Sequence, residues 1–382
     1  MSHLRTYQHG TPRTFVCPYC LHEYPVEQIL FHLPLTGQKL TGKRNYIQRW
    51  MRRPPIPPPL NGDVWEKLCP GVNCGKVLPK STGMEPSLII GMVGAQVSGK
   101  THYIASLIQR LSSEVGERFQ VGVVEADSQT TKRFAVEFKQ PLYDNKAVLD
   151  STIGSPPPLI YNLVFDGSLY GENEPRSVTL ALYDTAGENF RDPVKVREMA
   201  SYLRVAAGVI FIVDPLQSEA VRQMVGSQVQ LPTLKYDNMP TNIIRNLTEL
   251  LDNQGIIRGN RPFQTPVAVT MSKADVLRDV DLIKDNAPWN GPEMHELYFD
   301  DDLHEQIEGT MRNLFKQYEP AAYHNVRVRF KNHAFFGVSA TGCSPDPRTH
   351  RYAHVSPRRV EDPLLWLLAE IGVIPRRRGS RQ

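Results

Sequence analysis

The sequence predicts an α/β fold, a mostly parallel sheet flanked by helices, preceded by a small separate module. Three observations predict it. Short, almost wholly apolar runs recur between segments of helical spacing, the pattern of strands covered on both faces by crossover helices. The first run, Ser87-Leu-Ile-Ile-Gly-Met-Val93, leads directly into a glycine-containing loop and then a helix. Residues 1–86 differ in texture: they are Pro-rich and irregular, and hold two close pairs of cysteines.

Taken in order, residues 1–86 read as a zinc-ribbon-like module with a Pro-rich insertion. Within it, Arg52-Arg53-Pro54-Pro55-Ile56-Pro57-Pro58-Pro59 should be extended polyproline II, a stiff connector or a ligand for a Pro-reading domain. The larger domain spans 87–375. After the strand at 87–93, Ile104, Leu107, Ile108 and Leu111 give Thr101 to about Val115 a helical face. Leu159–Phe165 and Val178–Tyr183 are strands, and polar Asp166–Ser177 suits the long turn of an antiparallel hairpin. Residues 192–205 read as a helix, Gly208–Val213 and Val267–Met271 as strands, Leu303 to Tyr318 as a helix, and Phe335–Val338 as the last strand. Asp362-Pro363 looks like a cap and first turn, opening a helix with a broad apolar face from Leu364 to Ile371. Residues 215–262 and 276–300 look like insertions, because most α/β connections are far shorter. Residues 376–382 form a basic tail.

The chain has 382 residues, 41% of them hydrophobic, which excludes a disordered protein and allows a large core. Residues 1–86 hold 11 Lys/Arg and 5 Asp/Glu, a net +6 within an overall +4, so the basic excess is N-terminal. Arg376, Arg377, Arg378 and Arg381 add a second cluster. Such patches attract nucleic acid or anionic lipid; a solvated face and a frayed tail are the competing reading. No run approaches the ~18 apolar residues of a membrane span. The first residues lack the apolar core of a signal peptide, so the expected location is cytoplasmic. In that reducing compartment, paired cysteines favour a metal over disulfides.

Gly94-Ala-Gln96-Val97-Ser98-Gly99-Lys100-Thr101 matches G-x-x-x-x-G-K-[ST], with strand before and helix after. The glycines let the backbone curl so that successive N–H groups face a phosphate at the positive end of the helix. Lys100 then reaches the β- and γ-phosphates and Thr101 binds Mg²⁺. Asp184-Thr-Ala-Gly187-Glu188 follows a strand: the acid can hold Mg²⁺ through water and the Gly187 N–H can bind the γ-phosphate. Ser272-Lys273-Ala-Asp275 and Ser339-Ala340 follow two more strands. The Asp275 carboxylate suits the two donors of guanine, which adenine lacks. The Lys273 stem suits the base face and the Ala340 N–H suits guanine O6. Together the motifs specify binding of GTP and GDP, each at a strand's C-terminal end, where α/β sites form.

On these motifs the chain resembles the Ras-like, translation-factor-related P-loop GTPases over about residues 87–375. Gly-Lys-Thr-His-Tyr-Ile104, Asp184–Glu188, Val213-Asp-Pro-Leu216 and Asp362-Pro-Leu-Leu-Trp-Leu-Leu368 make it similar to the bacterial double-GTPase proteins of conflict and regulatory systems. The resemblance implies a regulatory switch with Mg²⁺. Three departures bear on it. Ser272 stands where Asn or Thr is usual, which removes the amide that braces the P-loop. Glu188 stands where a water-orienting Gln is common, so hydrolysis should be slow without a partner; Lys100 and Glu188 are the candidate catalytic residues. The Mg²⁺-binding switch threonine is not fixed: Thr152 is preferred, with Thr130 and Thr131 competing. Arg191, Arg197 and Arg204 are candidates for a finger in cis or for surface ion pairs. Cys343 is a reactive thiol or an inert small residue.

Cys17-Pro-Tyr-Cys20 and Cys69-Pro-Gly-Val-Asn-Cys74 form C-x₂-C…C-x₄-C, two grips on one tetrahedral Zn²⁺, with Gly75 suited to a tight turn. His22 or His32 are alternative ligands. Full Cys₄ ligation makes the Zn²⁺ structural and leaves a partner-recognition module. Three functions follow: a GTP-dependent switch with slow hydrolysis, a non-hydrolysing adaptor recruiting a protein partner, and an NTPase stimulated by nucleic acid at the basic ends.

Overall fold

The computed structural model describes residues 12–33, 38–41, 65–152, 154, 156–170, 176–184, 192–225, 231–257, 259, 261–278 and 297–377. The Pro-rich run 52–59, Gly187, Glu188, Arg191, most of 276–300, and Arg378 and Arg381 lie outside them.

The N-terminal module is built from short strands: β1 (Thr14–Val16), β2 (Glu23–Pro25), β3 (Leu30–Leu33), β4 (Gln38–Thr41), β5 (Glu66–Leu68) and β6 (Val77–Leu78). β1 and β2 pair as one antiparallel hairpin; β4, β3, β5 and β6 make a second small antiparallel sheet. Phe15, Val26, Ile29, Phe31 and Leu78 form its small core, beside Cys17 and Cys69.

The larger domain winds around a seven-stranded sheet. Its strands are β7 (Ser87–Gly94), β8 (Val121–Glu125), β9 (Leu159–Phe165), β10 (Arg176–Asp184), β11 (Gly208–Val213), β12 (Val267–Met271) and β14 (His333–Gly337), in the order β14-β12-β11-β7-β10-β9-β8. The five strands β14, β12, β11, β7 and β10 are parallel; β9 runs antiparallel to both β10 and β8. The expected 159–183 hairpin is present, with Phe165 opposite Arg176. β8 is an edge strand that sequence reading missed.

Alternation along β7 explains why it is buried throughout. Leu88, Ile90 and Met92 face one core, packed with Ile104, Leu107 and Ile108 of helix α1 (Lys100–Leu111). Helices α2 (Glu114–Phe119) and α3 (Ser128–Arg133) follow on the way to β9, so the expected 101–115 helix is interrupted at Ser112. Val93 faces the opposite core with Met199, Tyr202 and Leu203 of α4 (Pro193–Val205). Gly91 lets α4 approach: a Cβ there would meet the Tyr202 ring at 2.7 Å.

The 215–262 stretch, expected as an insertion, carries α5 (Glu219–Val225) and α6 (Pro240–Asn253). α6 buries Ile243, Ile244, Leu247, Leu250 and Leu251, so it contributes to the core as part of the crossover between parallel β11 and β12. Beyond β12 come the two-residue β13 (Phe299–Asp300), α7 (Asp301–Tyr318), α8 (Pro320–Arg329), β14, and α9 (Asp362–Ile371).

Two terminal expectations need correction. Asp362 is the first residue of α9, not its cap; its carboxylate is drawn 3.1 Å to Arg359, while Glu361 at the cap position pairs at 2.8 Å with Arg110 of α1. Arg376 and Arg377, expected in a basic tail, form β15 against β13, and Arg376 is paired with Asp301 and Glu370. Opposite charge and a strand partner hold this end in place.

Candidate nucleotide site and metal centre

The motifs converge because the parallel sheet aligns its C-terminal strand ends. β7 leads into the P-loop, where Val97 (φ 60°) and Gly99 (φ 91°) take left-handed backbone and turn the loop on itself. Gly94 cannot carry a side chain, since a Cβ would meet the Ile212 carbonyl at 2.5 Å. Lys100 is buried, and its ammonium donates to the Gly94 and Ala95 carbonyls at 3.0 and 2.7 Å. The cation thus sits within the loop it is expected to serve.

The base-reading candidates surround the same loop. Ser272 Oγ donates to the Ser98 carbonyl at 2.7 Å, so a hydroxyl braces the P-loop where an amide was expected to be lost. Lys273, left-handed at φ 50°, donates to the Val97 carbonyl at 3.1 Å and pairs at 2.6 Å with buried Asp214. Asp275 Oδ1 accepts from Ser339 Oγ at 2.6 Å, and Ser106 of α1 donates to the Ala340 carbonyl at 2.6 Å. Gln96, Val97, Gly99, Lys100, Thr101 and Thr152, with Ser272, Lys273, Asp275 and Ala340, line one cavity of about 310 Å³.

Thr101 and Thr152 hydroxyl oxygens lie 3.0 Å apart. Two neighbouring ligands of an octahedral Mg²⁺ at ~2.1 Å stand about 3.0 Å apart, so this pair fits that ion. The competing threonines are engaged elsewhere: Thr130 Oγ1 accepts from the Ile160 N–H, and Thr131 Oγ1 donates to the Asp127 carbonyl. Asp184 ends β10, beside Met92 of β7.

Several cleft residues were not assigned roles from sequence. Asp214 was visible in Val213-Asp-Pro-Leu216, yet its task, holding Lys273, required the fold. His102 Nε2 lies 3.1 Å from both the Leu149 N–H and the Tyr352 hydroxyl. Burial and the nearby Lys273 ammonium push its pKa down to about 4. Val148, Leu149, Pro345 and Tyr352 also line the cavity, from stretches without periodicity. Of the remaining candidates, Arg204 donates to the Gln254 carbonyl, and Cys343 Sγ donates to the His354 carbonyl.

The Double-GTPase 2 family model matches residues 88–329, well over half of the chain. The chain belongs to the Double-GTPase 2 family. Family membership supports guanine-nucleotide binding by this chain. A Mycolicibacterium smegmatis protein described as "Putative ESX-1 scaffolding and assembly protein SaeC" is 25% identical over 361 residues, covering 86% of this chain and 88% of its own. Among solved structures, the Arl6 BBS3 small GTPase from Trypanosoma brucei, with bound GppNp, aligns at 12% identity and TM-score 0.31, covering 75% of this chain and 97% of its own. At that distance no residue role is carried across.

This Double-GTPase 2 chain also gathers Cys17, Cys20, Cys69 and Cys74, whose sulfurs all lie within 4.8 Å of one another. Cys17–Cys74 and Cys20–Cys69 are 3.9 and 3.7 Å apart. A tetrahedral site with Zn–S near ~2.3 Å has S···S edges of about 3.8 Å, so the cluster fits Zn²⁺. The first pair lies in the β1–β2 turn and the second between β5 and β6. The Tyr19 and Gly71 N–H groups donate to Cys17 and Cys69 Sγ, each at 3.4 Å. Burial pushes the Cys69 thiol up to about 12 and the Cys17 thiol up as well. A divalent cation among the sulfurs offsets that cost of ionisation. His22 binds the Cys20 carbonyl and His32 binds Glu66, so the cysteines supply the four-sulfur set without them.

The first knuckle packs on the sheet. Val16 joins Ile89, Ile160 and Ala181 in a shared apolar cluster. Tyr183 donates its hydroxyl to the Pro18 carbonyl, and Tyr19 donates to Asp127 at 3.3 Å. Among the described residues no helix is long and apolar enough to cross a membrane.

Proposed function

We propose that this protein is a GTP-dependent switch that hydrolyses GTP slowly with Mg²⁺. The observation that carries the reading is convergence: the P-loop, the Thr101–Thr152 pair and Ser272, Lys273, Asp275 and Ala340 meet in one cavity. Lys100 exchanges its loop carbonyls for phosphate oxygens, while the P-loop N–H groups hold the β-phosphate. Asp275 accepts from the guanine N1–H and 2-amino group, Lys273 lies along the base, and the Ala340 N–H meets O6. Thr101, Thr152 and Asp184 would hold Mg²⁺, which would supply neutralisation of the phosphate charge. Gly187 binds the γ-phosphate and Glu188 orients water, its charge keeping turnover slow. The Cys₄ module holds structural Zn²⁺ and recruits a protein partner, in a conflict or signalling system of the kind its resemblance implies.

Single-turnover phosphate release from GTP tests this. Release that requires Mg²⁺ and is abolished in Lys100→Ala supports the switch. A second reading, a nucleotide-binding adaptor without hydrolysis, draws on similarity to a protein described as scaffolding across most of the chain. It is favoured if GTP binds and phosphate release stays at the Lys100→Ala level. The nucleic-acid-stimulated reading loses Arg376 from its basic tail, because that side chain is ion-paired. Absence of stimulation by DNA or RNA at low salt removes it.

A further inference from the structure

The segment that carries Thr152 is held at two points before it reaches the cleft. Lys146 and Val148 exchange backbone hydrogen bonds with the 350–352 strip: Tyr352 N–H donates to the Lys146 carbonyl at 2.7 Å, and Val148 N–H donates to the His350 carbonyl at 3.1 Å. Ala147 and Arg351 form an antiparallel bridge. The next residue, Leu149, donates its N–H to His102 Nε2 at 3.1 Å. His102 directly follows Thr101 on α1, so this bond ties the Thr152 segment to the helix that presents Thr101. The 342–358 loop is in turn tied to the base-reading loop, because Ser339 and Arg358 exchange both backbone hydrogen bonds.

We infer that His102 is a positioning residue: its Nε2 accepts the Leu149 N–H and thereby sets the Thr152 hydroxyl beside that of Thr101. The tautomer follows from the geometry. A nitrogen facing an amide N–H and a phenol hydroxyl must present its lone pair, so the ring proton resides on Nδ1. The donor, Leu149, is three residues from Thr152 along the chain, and the acceptor, His102, is one residue from Thr101. No larger motion is needed for the bond to hold the two hydroxyls in register, and breaking it frees the stretch between Val148 and Thr152. This role rests on the proposed reading of Thr152 as the switch threonine.

The consequence is selective. A residue that only stabilises the fold weakens GDP and GTP binding alike. One that places Thr152 affects the triphosphate state with Mg²⁺ more. The test measures equilibrium binding of GDP and GTPγS, each with Mg²⁺, to the full chain and to His102→Leu, His102→Gln, Thr152→Ala and the double variant His102→Leu/Thr152→Ala. We expect His102→Leu to lower the GTPγS-to-GDP affinity ratio about tenfold, the weight of a positioning hydrogen bond and the contact it secures. His102→Gln retains an acceptor and should recover most of the ratio. The double variant should match Thr152→Ala. Equal weakening of both nucleotides in His102→Leu, or losses that add in the double variant, overturns the inference. If Thr152→Ala leaves the ratio at the wild-type value, the switch-threonine reading and this inference both fall. If Thr152→Ala collapses it and His102→Leu does not, only the positioning role falls. Amide exchange in the unaltered protein gives a check that needs no variant. Leu149 should gain at least about tenfold protection in GTPγS–Mg²⁺ over GDP, and equal protection in the two states contradicts the inference.

Discussion

The nucleotide cleft and the cysteine cluster are both assembled from short motifs at strand ends, yet they are held together differently. In the cleft, four of the polar side chains rest on protein partners: Lys100 on P-loop carbonyls, Lys273 on Asp214, Ser272 on Ser98, and Asp275 on Ser339. Two large cores lie behind it, one on each face of the sheet. The cluster has a small core and four sulfurs that crowd one another, two of them with burial-raised thiol pKa values. The cleft is organised by the fold before a ligand arrives. The cluster fits a tetrahedral ion, and on the proposed zinc reading binding there is coupled to folding of the module.

Metal removal should produce the largest effect. Structural zinc binding in small domains is worth ~10–16 kcal/mol, so chelation, or Cys17→Ser, should unfold the N-terminal module. Hydrogen exchange should then lose protection across β1, β2, β5 and β6, while nucleotide binding in the larger domain persists. Unchanged protection after complete metal removal would break the comparison.

The next effect lies in the cleft. Asp275→Asn should weaken GTP binding by ~10²–10³-fold and raise affinity for xanthosine triphosphate, because one site built for two donors rejects a ligand that mismatches them. Parallel titrations check this, and no change in base preference places the base elsewhere. Ser272→Ala removes the hydroxyl brace on Ser98 and should cost about 1 kcal/mol, a fivefold loss of nucleotide affinity, restored by Ser272→Thr. An affinity equal to wild type contradicts that brace.

The smallest effect concerns the seam between the regions. Tyr183→Phe deletes the hydroxyl bond to Pro18 but keeps the ring stacked on Tyr202, 5.8 Å away. Thermal unfolding should show a loss of about 0.5 kcal/mol, the low end for a single hydrogen bond. A larger loss in the metal-free protein than in the zinc-loaded one would invert the expected dependence, since the seam needs an ordered knuckle.

The same contrast explains what was legible in the sequence. Ser87–Val93, Gly208–Val213 and Val267–Met271 are continuous apolar runs, so the parallel sheet could be read directly, as could each loop that follows a strand. The two cysteine pairs were legible because tetrahedral ligation constrains spacing. What escaped was set by tertiary partners. β8 alternates too weakly to announce an edge strand, its outward residues being exposed. α6 looked like part of an insertion because loop length was weighed above its apolar face. Arg376 looked like tail because its partner Asp301 lies 75 positions away in sequence. His102 and Tyr352 meet across 250 positions, and neither lies in a spacing that chemistry requires.

The central claim is that the P-loop cleft reads guanine. Competitive titration of the full chain with GTP and ATP, both with Mg²⁺, tests it most directly. GTP should bind at least ~10²-fold more tightly than ATP, as expected when a half-buried carboxylate is matched by one base and left unpaired by the other. Equal affinities for the two nucleotides would contradict it.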